Sequence, residues 1–96
     1  MTFEPMVSCQ AHEGGWRCTV RLGEDPEATE HSVEVDRATL DDLAPGASPE
    51  DLVRASFEFL LEREPRESIM RSFDLPIIGR FFADYPDEIH RRLRGG

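Results

Sequence analysis

From Val7 to Val35 the chain alternates apolar and polar side chains, interrupted by a Gly-Gly pair and one acidic loop. A period of two sends alternate side chains to opposite faces of a strand, so this stretch predicts three strands with one covered face. Val7, Cys9 and Ala11 alternate with Ser8, Gln10 and His12. Trp16, Cys18, Val20 and Leu22 alternate with Arg17, Thr19 and Arg21, and His31, Val33 and Val35 with Glu30, Ser32 and Glu34. A two-residue type I′ turn needs positive φ twice, which Gly14-Gly15 satisfies. A turn there sets Ala11 opposite Cys18 and Cys9 opposite Val20. Pairing Leu22 with Thr29 in an antiparallel third strand brings Arg21 to Glu30, Thr19 to Ser32 and Arg17 to Glu34. The same register puts Val20 against His31, Cys18 against Val33 and Trp16 against Val35. Two opposite-charge pairs and the apolar face thus agree on one register.

The second half predicts helices. Asp36 is placed to cap a short helix over 37–43 that turns Leu40 and Leu43 inward. Ser48-Pro49-Glu50-Asp51 is a helix start: a capping hydroxyl, Pro in the first turn, then carboxylates near the positive end of the helix dipole. The helix runs to about Arg63, with Val53, Phe57, Leu60 and Leu61 on one stripe, widened by Leu52, Ser56 and Phe59. Pro65 ends it and suits a new turn over 66–70. Residues 73–82 fit helix or strand. Helix is preferred, opened by Pro76 and placing Ile77, Ile78, Phe81 and Phe82 at helical spacing. A last helix spans Tyr85 to about Arg94, with Ile89 and Leu93 four apart. The predicted fold is α+β in one domain over 1–96: a three-stranded antiparallel meander (about 6–36) packed against one main helix, with short C-terminal helices in a helical part (about 37–94).

The charge is lopsided. The 96 residues carry a net −9, and 24–51 alone hold ten carboxylates against one Arg. No basic stripe is present to release counterions from a phosphate backbone, which argues against nucleic acid as a partner. No apolar run approaches the roughly 20 residues of a membrane span, and residues 1–15 lack the pattern of a signal peptide. These features predict a cytoplasmic location, and with it two reduced cysteines. All eleven cations are Arg; the chain has no Lys and no Asn. Both absent residues use A-rich codons, which points to a high-GC bacterial genome.

Few residues carry chemistry. Cys9 and Cys18 read as buried free thiols, because a free Cys packs as a small hydrophobe. His31 on a mainly apolar face reads as an imidazole satisfied at the edge of the core. A Cys9–His31 dyad is a remote arrangement for a thiol enzyme, the third of three functional readings. His12, His31 and His90 are too dispersed for a metal site, and Glu24-Asp25-Pro26-Glu27 lacks the spacing of a calcium loop. No phosphate-binding glycine loop or hydrolase motif is present, so neither cofactor nor catalysis is expected. The stretch Phe73–Tyr85 has four rings in thirteen residues. A small sheet cannot cover them all, so Ile77, Ile78, Phe81, Phe82 and Tyr85 form a candidate interaction patch.

Two resemblances remain. Arg92-Leu93-Arg94-Gly95-Gly96 resembles the C-terminal tail of ubiquitin and its relatives. That resemblance implies a carboxylate on Gly96 that is adenylated and carried as a thioester or thiocarboxylate, with Arg94, Gly95 and Gly96 as a narrow conjugation tail. A Lys-free surface suits a modifier that must not label itself. The order of elements departs from the β-grasp fold of that family, since three strands here precede the first helix. The stretch from about Ser48 to Leu93 is similar to small proteins of high-GC bacteria. The runs carrying that similarity are Leu-Leu-Glu-Arg-Glu-Pro-Arg-Glu-Ser-Ile from Leu60 and Phe-Asp-Leu-Pro-Ile-Ile-Gly-Arg-Phe-Phe from Phe73. It implies no activity. The reading that follows is a non-enzymatic protein–protein interaction or regulatory module, whose acidic surface suits a basic partner and which is a candidate homodimer. A diglycine-tailed modifier or sulfur carrier is the alternative.

Overall fold

Three long strands come first. β1 (Met6–His12), β2 (Gly15–Leu22) and β3 (Thr29–Asp36) form an antiparallel meander in a computed structural model that describes residues 5–23 and 26–94. The β2–β3 register is the predicted one, from Trp16↔Val35 through Arg17↔Glu34 and Arg21↔Glu30 to Leu22↔Thr29. Cys18, Val20, Leu22, Val33 and Val35 are fully buried on one face. Ser8, Gln10, Thr19 and Glu30 are exposed on the other.

The β1–β2 hairpin corrects the expected register. The turn falls at Glu13-Gly14, so that His12 pairs with Gly15, Val7 with Val20 and Cys9 with Cys18. Gly14 alone takes a positive φ, +91°, in this hairpin, and only glycines do so among the described residues. A single positive φ excludes the expected type I′ turn, which needs two. Gly15 serves a different need. A Cβ there would sit 2.2 Å from the Val35 carbonyl oxygen, so only Gly lets β3 approach this end of β2. With Gly15 committed to the sheet, the turn moves back one residue and the pairing shifts by two. A shift of two keeps every side chain on its face while changing its partner.

The new partner matters for the cysteines. Cys9 and Cys18 lie directly opposite, 4.0 Å apart at Cα, and are joined by a disulfide; no free cysteine is present among the described residues. The expectation of reduced thiols is therefore overturned. No helix among the described residues is long and apolar enough to cross a membrane.

The helices follow. α1 (Arg37–Leu43) buries Leu40 and Leu43; Asp36 stands at its cap position but makes no side-chain cap bond. The Arg37 amide donates instead to the Gly14 carbonyl at 3.0 Å, tying α1 to the hairpin turn. α2 (Pro49–Leu61) starts as predicted, the Ser48 hydroxyl accepting from the Asp51 amide at 3.1 Å, a cap worth about 1 kcal/mol. Leu52, Val53, Phe57 and Phe59 are fully buried along it. A single 3₁₀ turn (Arg66–Ser68) leads to β4 (Ser72–Asp74), which the three-stranded expectation lacked. β4 runs parallel to β3, with Val33↔Phe73, and makes a four-stranded mixed sheet ordered β1-β2-β3-β4. A parallel neighbour requires a long crossover, which α1 and α2 provide. The Ser32 amide donates to the Arg71 carbonyl at 2.7 Å and the Leu75 amide to the Glu34 carbonyl at 3.0 Å, extending the β4 pairing at both ends. α3 (Ile77–Phe81) and α4 (Tyr85–Arg94) complete the chain as predicted helices.

Candidate interaction surface

α3 is only five residues long, and its apolar side chains cannot share one direction. Neighbouring residues on a helix point about 100° apart. Ile78 turns inward and is 2% exposed, while Phe81 turns outward and is 67% exposed. Ile77 and Phe82 are half-buried. Phe82 packs edge-on against Phe59 at 5.7 Å. Phe59 also carries the Arg63 guanidinium 3.7 Å above its ring, and Arg63 donates to Asp84 at 2.7 Å. The segment between α3 and α4 is thereby fastened to the end of α2.

Between α2, β4 and α3 lies a groove of ≈ 300 Å³. Leu60, Ile69, Phe73 and Ile78 form its buried floor, and Met70, Ile77, Phe81 and Phe82 its rim; Glu64 and Ser68 are its polar members. Met70 is 42% exposed, so with Phe81 it presents two large apolar side chains to solvent. Of the predicted patch, then, Phe81, Ile77 and Phe82 reach this surface, and Ile78 belongs to its floor.

Tyr85 does not belong to the patch. It is 1% exposed at the start of α4, tilted against Phe59 at 5.3 Å, because α4 packs onto α2 and closes over its ring. Its hydroxyl donates to the Ser56 hydroxyl oxygen at 2.6 Å, and Ser56 donates onward to the Leu52 carbonyl at 2.7 Å. Burial raises the Tyr85 pKa well above its ordinary value. The density of rings over 73–85 put Tyr85 in the expected patch without revealing its polar partner on α2.

The histidines are structurally occupied. His31 is buried, with Nδ1 donating to the Met70 carbonyl at 2.7 Å. Nε2 therefore accepts, from Thr29 Oγ1 at 3.0 Å. Burial lowers the His31 pKa and favours this neutral form. His31 thus holds Met70 at the rim from below. No Cys9–His31 dyad forms: the sulfur is in the disulfide, and both ring nitrogens have other partners. His12 makes a feature the sequence reading missed. Its two nitrogens reach the Glu13 carbonyl and the Glu34 carboxylate, both at 2.9 Å, and these acceptors raise its pKa. Glu34 also accepts from Arg17 at 2.6 Å, which lowers its own pKa. His90 donates to the Asp42 carbonyl at 3.1 Å. Among the described residues no three His, Cys, Asp or Glu side chains gather around a point that could hold a metal ion.

Of the expected conjugation tail, Gly95 and Gly96 lie outside the described residues; Arg94 is the last residue of α4. The loop residues Glu24 and Asp25 lie outside them as well.

Comparison with protein-family models, with curated proteins and with solved structures finds no match to this chain.

Proposed function

We propose that this chain is a non-catalytic protein-binding module that engages its partner through the groove beside Phe81. The observation that supports this reading is the exposure of Phe81 and Met70 on the rim of a groove whose floor is apolar. Exposed large apolar side chains scattered singly are ordinary, but two flanking a concave apolar surface mark a contact site. Phe and Met are among the side chains enriched where proteins meet. The groove's polar members, Glu64 and Ser68, have no histidine or cysteine beside them to activate a nucleophile.

The test compares what the full chain and its Phe81→Asp variant retain from a lysate, with Thr19→Asp on the solvent face of β2 as control. Proteins retained by the parent and by Thr19→Asp should be lost with Phe81→Asp, while circular dichroism shows all three folded. An unchanged retained set with Phe81→Asp would refute the proposal.

A further inference from the structure

The sheet has two edges, and they differ. β4 offers only three residues, whereas β1 offers seven, Met6–His12. Natural edge strands are guarded by charged side chains, Pro, bulges or shortness. Between Met6 and His12 there is no Lys, Arg, Asp, Glu or Pro, and the pairing with β2 skips no residue. The disulfide from Cys9 to Cys18 fixes this strand to a fully buried neighbour.

The hairpin dictates which backbone groups face outward. His12 and Gly15 flank a two-residue turn and are a hydrogen-bonded pair, so Ala11, Cys9 and Val7 stand at the alternate, non-bonded positions against β2. The 4.0 Å Cα separation of the cysteines fits such a site. The N–H and C=O of Val7, Cys9 and Ala11 therefore point away from the sheet. Among the described residues no hydrogen bond outside the strand ladder reaches them.

We infer that β1 is a self-association edge, whose occupant is the β1 strand of a second copy in antiparallel register about Cys9. In that register Val7 faces Ala11 of the second copy, Cys9 faces Cys9, and Ala11 faces Val7. All six outward groups are then bonded, and two four-stranded sheets become one of eight. On the polar face Ser8 meets Gln10 and Met6 meets His12, with no charge against a like charge. This is the point that selects a second copy. The chain carries −9 overall, yet its longest open edge is free of carboxylates, so two copies can meet there without direct repulsion. The Phe81 groove is not used, and the inference stands or falls apart from the proposed function.

The experiment is sedimentation of the intact, oxidised chain over a concentration series, with Ser8→Glu/Gln10→Glu and Ser8→Lys/Gln10→Lys variants. Both positions are exposed, and the carboxylate introduced by Gln10→Glu would lie across from Arg17 within its own hairpin. The parent should dimerise. Each doubly charged variant should weaken the dimer roughly tenfold or more, because the register sets positions 8 and 10 directly opposite across the two copies. Mixing the two variants should restore it. Amide exchange gives a second reading: Val7, Cys9 and Ala11 should gain protection as concentration rises. A parent monomeric throughout, or a dimer that both variants leave intact, would overturn the inference; so would association with no gain in protection at these three amides.

Discussion

The buried pair Ser56–Tyr85 should show an asymmetry that follows from which group donates. Ser56 donates to the Leu52 carbonyl, so its oxygen accepts from the Tyr85 phenol. Tyr85→Phe removes a donor while Ser56 keeps its own bond, a loss of about 1 kcal/mol. Ser56→Ala leaves the phenol hydroxyl buried with no acceptor, which costs roughly 2–3 kcal/mol. In the double variant a phenyl ring faces a methyl group and no polar atom is stranded. Its loss should fall about 1 kcal/mol short of the sum of the singles. Urea unfolding followed by circular dichroism reads these differences; at a slope near 1 kcal/mol per molar the Ser56→Ala midpoint should fall by roughly 2 M. Tyr85 is the only tyrosine, so its absorbance titrates this site alone. Since its folded pKa is raised, the stability it contributes is present below about pH 10 and lost as pH rises above that, so ionisation should accompany unfolding. Equal losses from the two single variants, or strict additivity, would refute the assigned donor order.

Three further outcomes can be measured on the same unfolding curves. Gly15→Ala should lose more stability than Gly14→Ala: the first drives a Cβ into the Val35 carbonyl, roughly 2 kcal/mol or more, and the second meets only the strain of its positive φ, about 1 kcal/mol. Lowering the pH from about 6.5 should remove stability at His31, because the unfolded chain protonates this ring while burial keeps the folded one neutral to a lower pH. His31→Gln should flatten that part of the profile. Reducing the Cys9–Cys18 bond, nine residues apart in sequence, should remove roughly 2.6 kcal/mol of loop-closure stabilisation, seen as a lower urea midpoint with dithiothreitol than without.

The legible part of the fold was the part with redundant signals. In β2–β3 the charge pairs and the apolar face point to the same alignment, and the structure has it residue for residue. Ser48-Pro49 likewise marks the start of α2 by both capping and backbone preference. The β1–β2 register was less well determined, because alternation fixes only which face a residue occupies. Registers differing by two residues look alike until the contact of Gly15 with Val35 chooses between them. The disulfide was hidden for the same reason. β4 is three residues long, too short to display a period, and its partner lies forty positions earlier in the chain. In the candidate surface, the aromatic content of 73–85 identified the region. Which rings face water depended on where α4 settles: it encloses Tyr85 and leaves Phe81 outside.

The central claim is that Phe81 is present for contact and not for folding. Its most direct test is the unfolding free energy of Phe81→Asp beside that of Phe59→Ala, whose ring is fully buried between Phe82, Tyr85 and Arg63. Phe59→Ala should lose about 3–5 kcal/mol, as emptied aromatic core positions do. Phe81→Asp should stay within about 0.5 kcal/mol of the parent, as an exposed position does. A loss at Phe81 comparable to that at Phe59 would place its ring in the core and contradict the account.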